Sequence, residues 1–69
     1  MFVIENNIKT YIQLKGLTQE QLAEAIQVSR QTIVAIEKGG YEPSLKLAYT
    51  IAHYFNVSIE EIFQISQKK

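Results

Sequence analysis

Cysteine is absent from this 69-residue chain, which excludes a disulfide framework and a thiolate metal site. Proline occurs once, at Pro43, and glycine only at Gly16, Gly39 and Gly40. There is no internal repeat, low-complexity tract or linker. No apolar run is long enough for a membrane span: Met1-Phe2-Val3-Ile4 is cut at Glu5, and no basic stretch precedes it as one would in a signal peptide. A cytoplasmic protein without membrane contact is the expectation. An excess of one charge is also missing, since seven basic and seven acidic residues cancel. Dedicated nucleic-acid binders are usually basic. Net charge is only a sum, however, and phosphate binding depends on the local field, so the placement of the charges decides.

What the chain does have is apolar residues, 46% of the total, enough for a globular core and too many for a disordered segment. Its length fits one domain, residues 1–69. A chain this short buries only about 60% of the surface its unfolded form exposes, so stability is marginal.

Helix starts and stops fall at short intervals. Asn6 or Asn7 caps a first helix running to about Lys15, and Gly16 ends it. Thr18 with Gln21 forms a capping box for a second, and Ser29 caps a third. After Gly39-Gly40, Pro43-Ser44 opens a fourth through about Phe55, and Ser58 with Glu61 forms a second capping box for a short fifth. The expected fold class is all-α, a five-helix orthogonal bundle.

The apolar spacing agrees. Leu22, Ala23 and Ile26 share a face, as do Ile33 and Ile36, and Leu45, Ala48, Ile51, Ala52 and Phe55 continue the pattern. Ile8, Leu17, Val28, Val57 and Ile62 complete one core. At the termini, Phe2-Val3-Ile4 and Phe63-Gln64-Ile65 are β-branched and aromatic, and are expected to pair as a short two-stranded antiparallel sheet, frayed ends being the alternative.

Between Thr18 and Lys38 the chain reads TQEQLAEAIQVSRQTIVAIEK, two helices of about eight residues joined by a tight turn. Ala23 is small where the helices cross, Val28 lies under the turn, and Ile33 with Ile36 anchors the second helix. That leaves Arg30, Gln31, Val34 and Ala35 facing outward. These segments, TQEQLA, VSRQTI and IEKG, resemble the helix-turn-helix of Cro/CI-type (XRE) transcriptional regulators, and PS-L-LA-IA followed by VSIEEIF is similar to that family's last two helices. The resemblance covers about Asn6 to Phe63 and is nearest to short, single-domain, dimeric members.

It implies a lambda-repressor-like fold that binds double-stranded DNA, with the third helix in the major groove. Arg30 and Gln31 would read bases, with Val34 and Ala35 beside them. Arginine pairs with guanine and glutamine with adenine, each worth about 1–3 kcal/mol of discrimination. Gln19 would hold a phosphate and brace the readers. Thr32, Lys38, the amides of Gly39 and Gly40, Tyr41, Lys9 and Lys15 would lie by the DNA backbone and set register. Lys9, Lys15, Arg30 and Lys38 can share one side, while Glu5, Glu60 and Glu61 belong to elements away from the third helix.

Two positions depart from the family pattern. Ile12 stands where the family places an arginine that pairs with the glutamate ending the third helix, so Glu37 needs another partner, with Lys9 and Lys38 as candidates, or a wetter site. Gln27 stands where a glycine with positive φ is expected, at a strain of about 1 kcal/mol.

Enzymatic chemistry finds no support, since there is no nucleophile, metal cluster or phosphate-cradling loop. His53 is the only histidine and has no partner ligand, and Glu60-Glu61 is explained as first-turn carboxylates. No cofactor and no small-molecule ligand is expected. The apolar surplus around Tyr49, Tyr54, Ile59 and Phe63 suggests a homodimer through Tyr54, Ile59, Phe63 and Ile65, matched to an inverted-repeat operator. The leading expectation is a sequence-specific regulator, a repressor with no effector domain. The alternative is a protein-binding module of the same fold, such as an antitoxin, which neutral charge and surplus apolar side chains would suit.

Overall fold

Helices of eight to ten residues cannot stand alone in water, so their ends and their packing must supply the stability. In the computed structural model of the protein, which describes residues 2–67, the order is β1 (Phe2–Asn6), α1 (Ile8–Lys15), α2 (Gln19–Ile26), α3 (Arg30–Glu37), α4 (Leu45–Tyr54), α5 (Ile59–Ile62) and β2 (Phe63–Gln67). The five helices are where the start signals place them. The all-α class needs correction, because the termini form an antiparallel sheet in the register Phe2↔Gln67 to Asn6↔Phe63.

Serine and threonine caps open α2 to α5. Thr18 Oγ1 accepts from the Gln21 N–H at 3.0 Å while Gln21 Oε1 accepts from the Thr18 N–H at 2.9 Å, a complete capping box. Ser29 and Ser44 accept from Thr32 and Leu47 in the same way. At α5 only half of the expected box forms: Ser58 Oγ accepts from the Glu61 N–H at 3.3 Å, with no return bond from the Ser58 N–H to the Glu61 carboxylate among the described residues. The start of α1 also differs in detail. Asn7 occupies the cap position without a side-chain cap bond, and Asn6 serves from one residue farther out, its Oδ1 accepting from the Ile8 N–H at 3.3 Å.

The ends of α1 to α4 share one device. A residue with φ between 59° and 79° follows each: Gly16, Gln27, Gly39 and Asn56. Its N–H bonds three residues back, and the next N–H bonds five back, as in Gly16 to Gln13 and Leu17 to Ile12. This is the Schellman arrangement, which satisfies carbonyls a helix end leaves free. At three of the corners the next residue, Leu17, Val28 or Val57, is half-buried against the core.

The core holds Ile8, Ile12, Leu22, Ala23, Ile33, Ile36, Ala48, Ile51, Ala52, Phe55, Ile62 and Phe63. Leu45, expected there, is 76% exposed, because the first residue of α4 projects past the rim of the bundle. Phe63, expected at a dimer interface, is only 6% exposed and belongs to this core. Asn6 ties three elements together, since its Nδ2 also donates to the Ile36 carbonyl at 2.9 Å, joining β1 to the end of α3.

Two substitutions probe these contacts. Asn6→Ala removes a helix-start bond and the tie from β1 to α3, leaving the Ile36 carbonyl with the Gly39 amide alone, so chemical denaturation should show a loss of about 1–2 kcal/mol; an unchanged midpoint would contradict the tie. Gln27→Gly relieves the left-handed strain and should raise stability by about 0.5–1 kcal/mol, or roughly 2–8 °C in Tm for a domain of this size. A lower Tm would show that the Gln27 side chain matters more than its backbone.

Candidate nucleic-acid interface

The face of α3 that points away from the core is set by Ile33 and Ile36, which are almost wholly buried. With those two inward, helical geometry turns Arg30, Gln31, Val34 and Ala35 to the other side. The structure brings all four together with Lys38 around an open concavity of about 410 Å3. Arg30 and Gln31 are exposed in the first turn, while Val34 and Ala35 are half-buried and form the floor. The result is a surface with two long polar side chains at one end, an apolar middle and an ammonium at the other end. Such a surface can meet base edges, a thymine methyl and a phosphate in one approach.

Around the corner, a groove of about 460 Å3 lies between α1, the start of α2 and the end of α3, lined by Lys9, Ile12, Gln19, Val34, Glu37 and Lys38 among others. It gathers three of the residues expected at the DNA backbone, Lys9, Gln19 and Lys38. Lys15 is exposed at the end of α1 and does not line this groove. Thr32 is half-buried, with its hydroxyl 2.9 Å from that of Ser29. Tyr41 lies on the other side of α3, in a small cleft shared with Phe2 and Ile4 of β1.

Two expectations need correction here. The amides of Gly39 and Gly40 are not free for phosphate: Gly39 donates to Ile36 at 3.0 Å and Gly40 to Ala35 at 3.1 Å, because the last carbonyls of α3 need donors. Glu37 finds its partner in Gln19, whose Nε2 donates to Glu37 Oε2, rather than in Lys9 or Lys38. Ile12 turns into the core at 6% exposure, and the half-buried Glu37 carboxylate bridges to the first residue of α2. Sequence reasoning missed this bond because the two residues stand 18 apart at opposite ends of different helices.

On the far side of the molecule, Ile65 is 67% exposed, and Tyr54 is 38% exposed with its ring packed edge-on to Phe55, the centroids 5.3 Å apart. Ile59 is half-buried. Among the described residues no group of three or more His, Cys, Asp or Glu side chains could hold a metal ion, and no helix is long and apolar enough to cross a membrane.

Comparison with known proteins agrees with this geometry. A helix-turn-helix family model matches residues 8–62, from the start of α1 to the end of α5. An uncharacterised helix-turn-helix-type transcriptional regulator of Methanocaldococcus jannaschii is 60% identical over 60 residues, 87% of this chain and 91% of that protein. One from Archaeoglobus fulgidus is 47% identical over 66 residues, 96% of this chain and 93% of that protein. Among solved structures, a proposed DNA-binding protein from Bacteroides fragilis superposes with a TM-score of 0.79 at 27% identity, covering 90% of this chain and 100% of that one. The chain therefore belongs to the helix-turn-helix family of Cro/CI-type (XRE) transcriptional regulators.

Proposed function

We propose that this chain is a sequence-specific DNA-binding regulator that acts as a homodimer on an inverted repeat and represses by occupying it. The observation that carries the reading is the gathering of Arg30, Gln31, Val34, Ala35 and Lys38 on one open face of a helix fixed at both ends. Arg30 and Gln31 read bases in the major groove, and Val34 and Ala35 supply apolar contact. Lys9, Gln19 and Lys38 hold phosphates, with Lys15 and Thr32 at the margin. A second copy, joined through the side bearing Tyr54, Ile59 and Ile65, sets two reading helices about 34 Å apart. Such a protein works where the chromosome is, in the cytoplasm.

The neutral net charge is compatible with this reading because Lys9, Arg30 and Lys38 line the two concavities on the α3 side, where the one lining carboxylate, Glu37, accepts from Gln19, whereas Glu60 lines a groove beside β2. Two phosphate-holding lysines per copy, Lys9 and Lys38, give a shallow salt dependence, with a slope of roughly −2 per protomer in log K against log salt.

Selection of bound duplexes from a random library tests the reading. The wild type should enrich an inverted repeat. Arg30→Ala and Gln31→Ala should each relax one position per half-site by about 1–3 kcal/mol, while Lys38→Ala should weaken every sequence alike and reduce the salt slope by about 1. Equal loss at all positions from all three variants would sink the readout model. Gln19→Ala should weaken binding and also lower stability by about 1 kcal/mol, because it leaves the half-buried Glu37 carboxylate short of a donor. In a double-mutant cycle with Glu37→Ala, the two stability losses should be clearly less than additive. Simple additivity would show that the bridge does not join α2 to α3.

A further inference from the structure

We infer that Glu37 is a positioning residue for DNA binding: its carboxylate holds the Gln19 amide across the groove between α2 and α3, and so prepares the contact that Gln19 makes with a phosphate. The inference rests on the DNA-binding reading above and concerns how one of its contacts is built. Gln19 Nε2 donates to Glu37 Oε2, although the two residues stand 18 apart, and both side chains are half-buried. Ile12 turns into the core at 6% exposure and leaves this carboxylate to Gln19. A carboxylate only accepts, so the end of the amide that it selects is the nitrogen. A phosphate oxygen also only accepts. The amide nitrogen carries two hydrogens, of which one meets Glu37 and the other is left for the phosphate, so one nitrogen serves both acceptors.

The groove that contains this bond adjoins the face that carries Arg30 and Gln31. Val34 and Lys38 line both the groove, of about 460 Å3, and the concavity of about 410 Å3 on that face. A phosphate held at Gln19 therefore sets where along α3 the bases are met. A free glutamine side chain would have to be ordered when DNA arrives, and that immobilisation costs affinity. Here α3 has ordered it beforehand. The charge of Glu37 works in the other direction, because a carboxylate in a groove lined by Lys9 and Lys38 opposes a phosphate. The two roles thus predict opposite signs. If Glu37 acted only as a charge, its removal would strengthen binding; as a positioning residue, loss of its acceptor oxygen weakens binding.

Two neutral replacements separate charge from position. Glu37→Gln keeps an oxygen that accepts from Gln19, whereas Glu37→Met keeps the length of the side chain without that oxygen, and both lose the charge. Methionine and glutamine favour helices about equally, so both variants fold, which circular dichroism checks at the temperature of the measurement. Affinity is then measured for the duplex that the wild type enriches most from a random library. Glu37→Gln should bind about three- to tenfold more tightly than Glu37→Met, the worth of one side chain ordered in advance. The two variants carry the same charge, so their salt slopes should coincide. In a Gln19→Ala background the difference between them should vanish, which a change in helix stability alone would not produce. Equal affinities, or a difference that survives Gln19→Ala, overturn the positioning role and leave the DNA-binding reading standing. A wild type that enriches no duplex overturns both.

Discussion

Four helices of this protein stop by the same local reversal, and the rest of the structure depends on it. An eight-residue helix has about as many unpaired end groups as internal hydrogen bonds, so a loosely ended helix of that length would unravel into water. At Gly16, Gln27, Gly39 and Asn56 the backbone enters the left-handed region, and two amides fold back onto the last carbonyls. The reversal also aims the chain. At three of the four turns the next residue, Leu17, Val28 or Val57, is delivered against the core, so a single local geometry ends one helix and anchors the approach to the next. Two of the four positions are glycine, one is asparagine, which tolerates this region, and one is Gln27, which does not. The fold keeps Gln27 there because a different geometry would move Val28 and, with it, the crossing of α2 and α3.

Helix α3 benefits most from this economy of ends. At its start, Ser29 accepts from the Thr32 amide, and its hydroxyl lies 2.9 Å from that of Thr32. At its finish, the Gly39 and Gly40 amides close the last turn, while Asn6 donates to the Ile36 carbonyl from a strand 30 residues away. Ile33 and Ile36 bury the inner face, and the Gln19–Glu37 bond ties the last residue of α3 to the first of α2. A helix held in this way has little freedom to rotate or slide. The side chains on its outer face therefore keep their positions before any ligand arrives, which lowers the ordering cost of binding.

What the residues reveal in advance divides along the same line between local and distant. Thr18 with Gln21, Ser29 with Thr32, and Ser44 with Leu47 are contacts three residues apart, and sequence spacing displays them directly. The outward set Arg30, Gln31, Val34 and Ala35 was legible for the same reason, because Ile33 and Ile36 fix the helical phase. The Asn6–Ile36 and Gln19–Glu37 bonds depend on how separate elements dock, and no periodicity encodes that. Phe63 and Leu45 show the other limit. The strand period of two puts Phe63 and Ile65 on one face of β2, which is why both were expected at a partner surface. Phe63, next to α5, lies in the core, while Ile65 is left exposed. Leu45 fits the helical pattern of α4, yet it lies one turn outside the volume the other helices fill. Spacing gives a direction around an axis and says nothing about where along that axis the packing ends.

The balance of charge follows from the same arrangement. A strongly basic domain binds any duplex through its phosphates, and that sequence-independent term grows with each lysine or arginine added. In a chain of zero net charge with Lys9, Arg30 and Lys38 on the outer side of α3, that term is small, while the proposed base contacts of Arg30 and Gln31 would keep their full discriminating value. Weak phosphate contact lowers affinity for the correct site and for every competing site together, so the ratio between them is preserved. In the proposed dimer, affinity lost in this way would be recovered by joining two reading faces, because the second half-site is then met at a high effective concentration. On that reading a neutral surface and a two-fold partner are complementary requirements: the first limits binding to random sequence, and the second restores strength only where two half-sites lie at the right spacing.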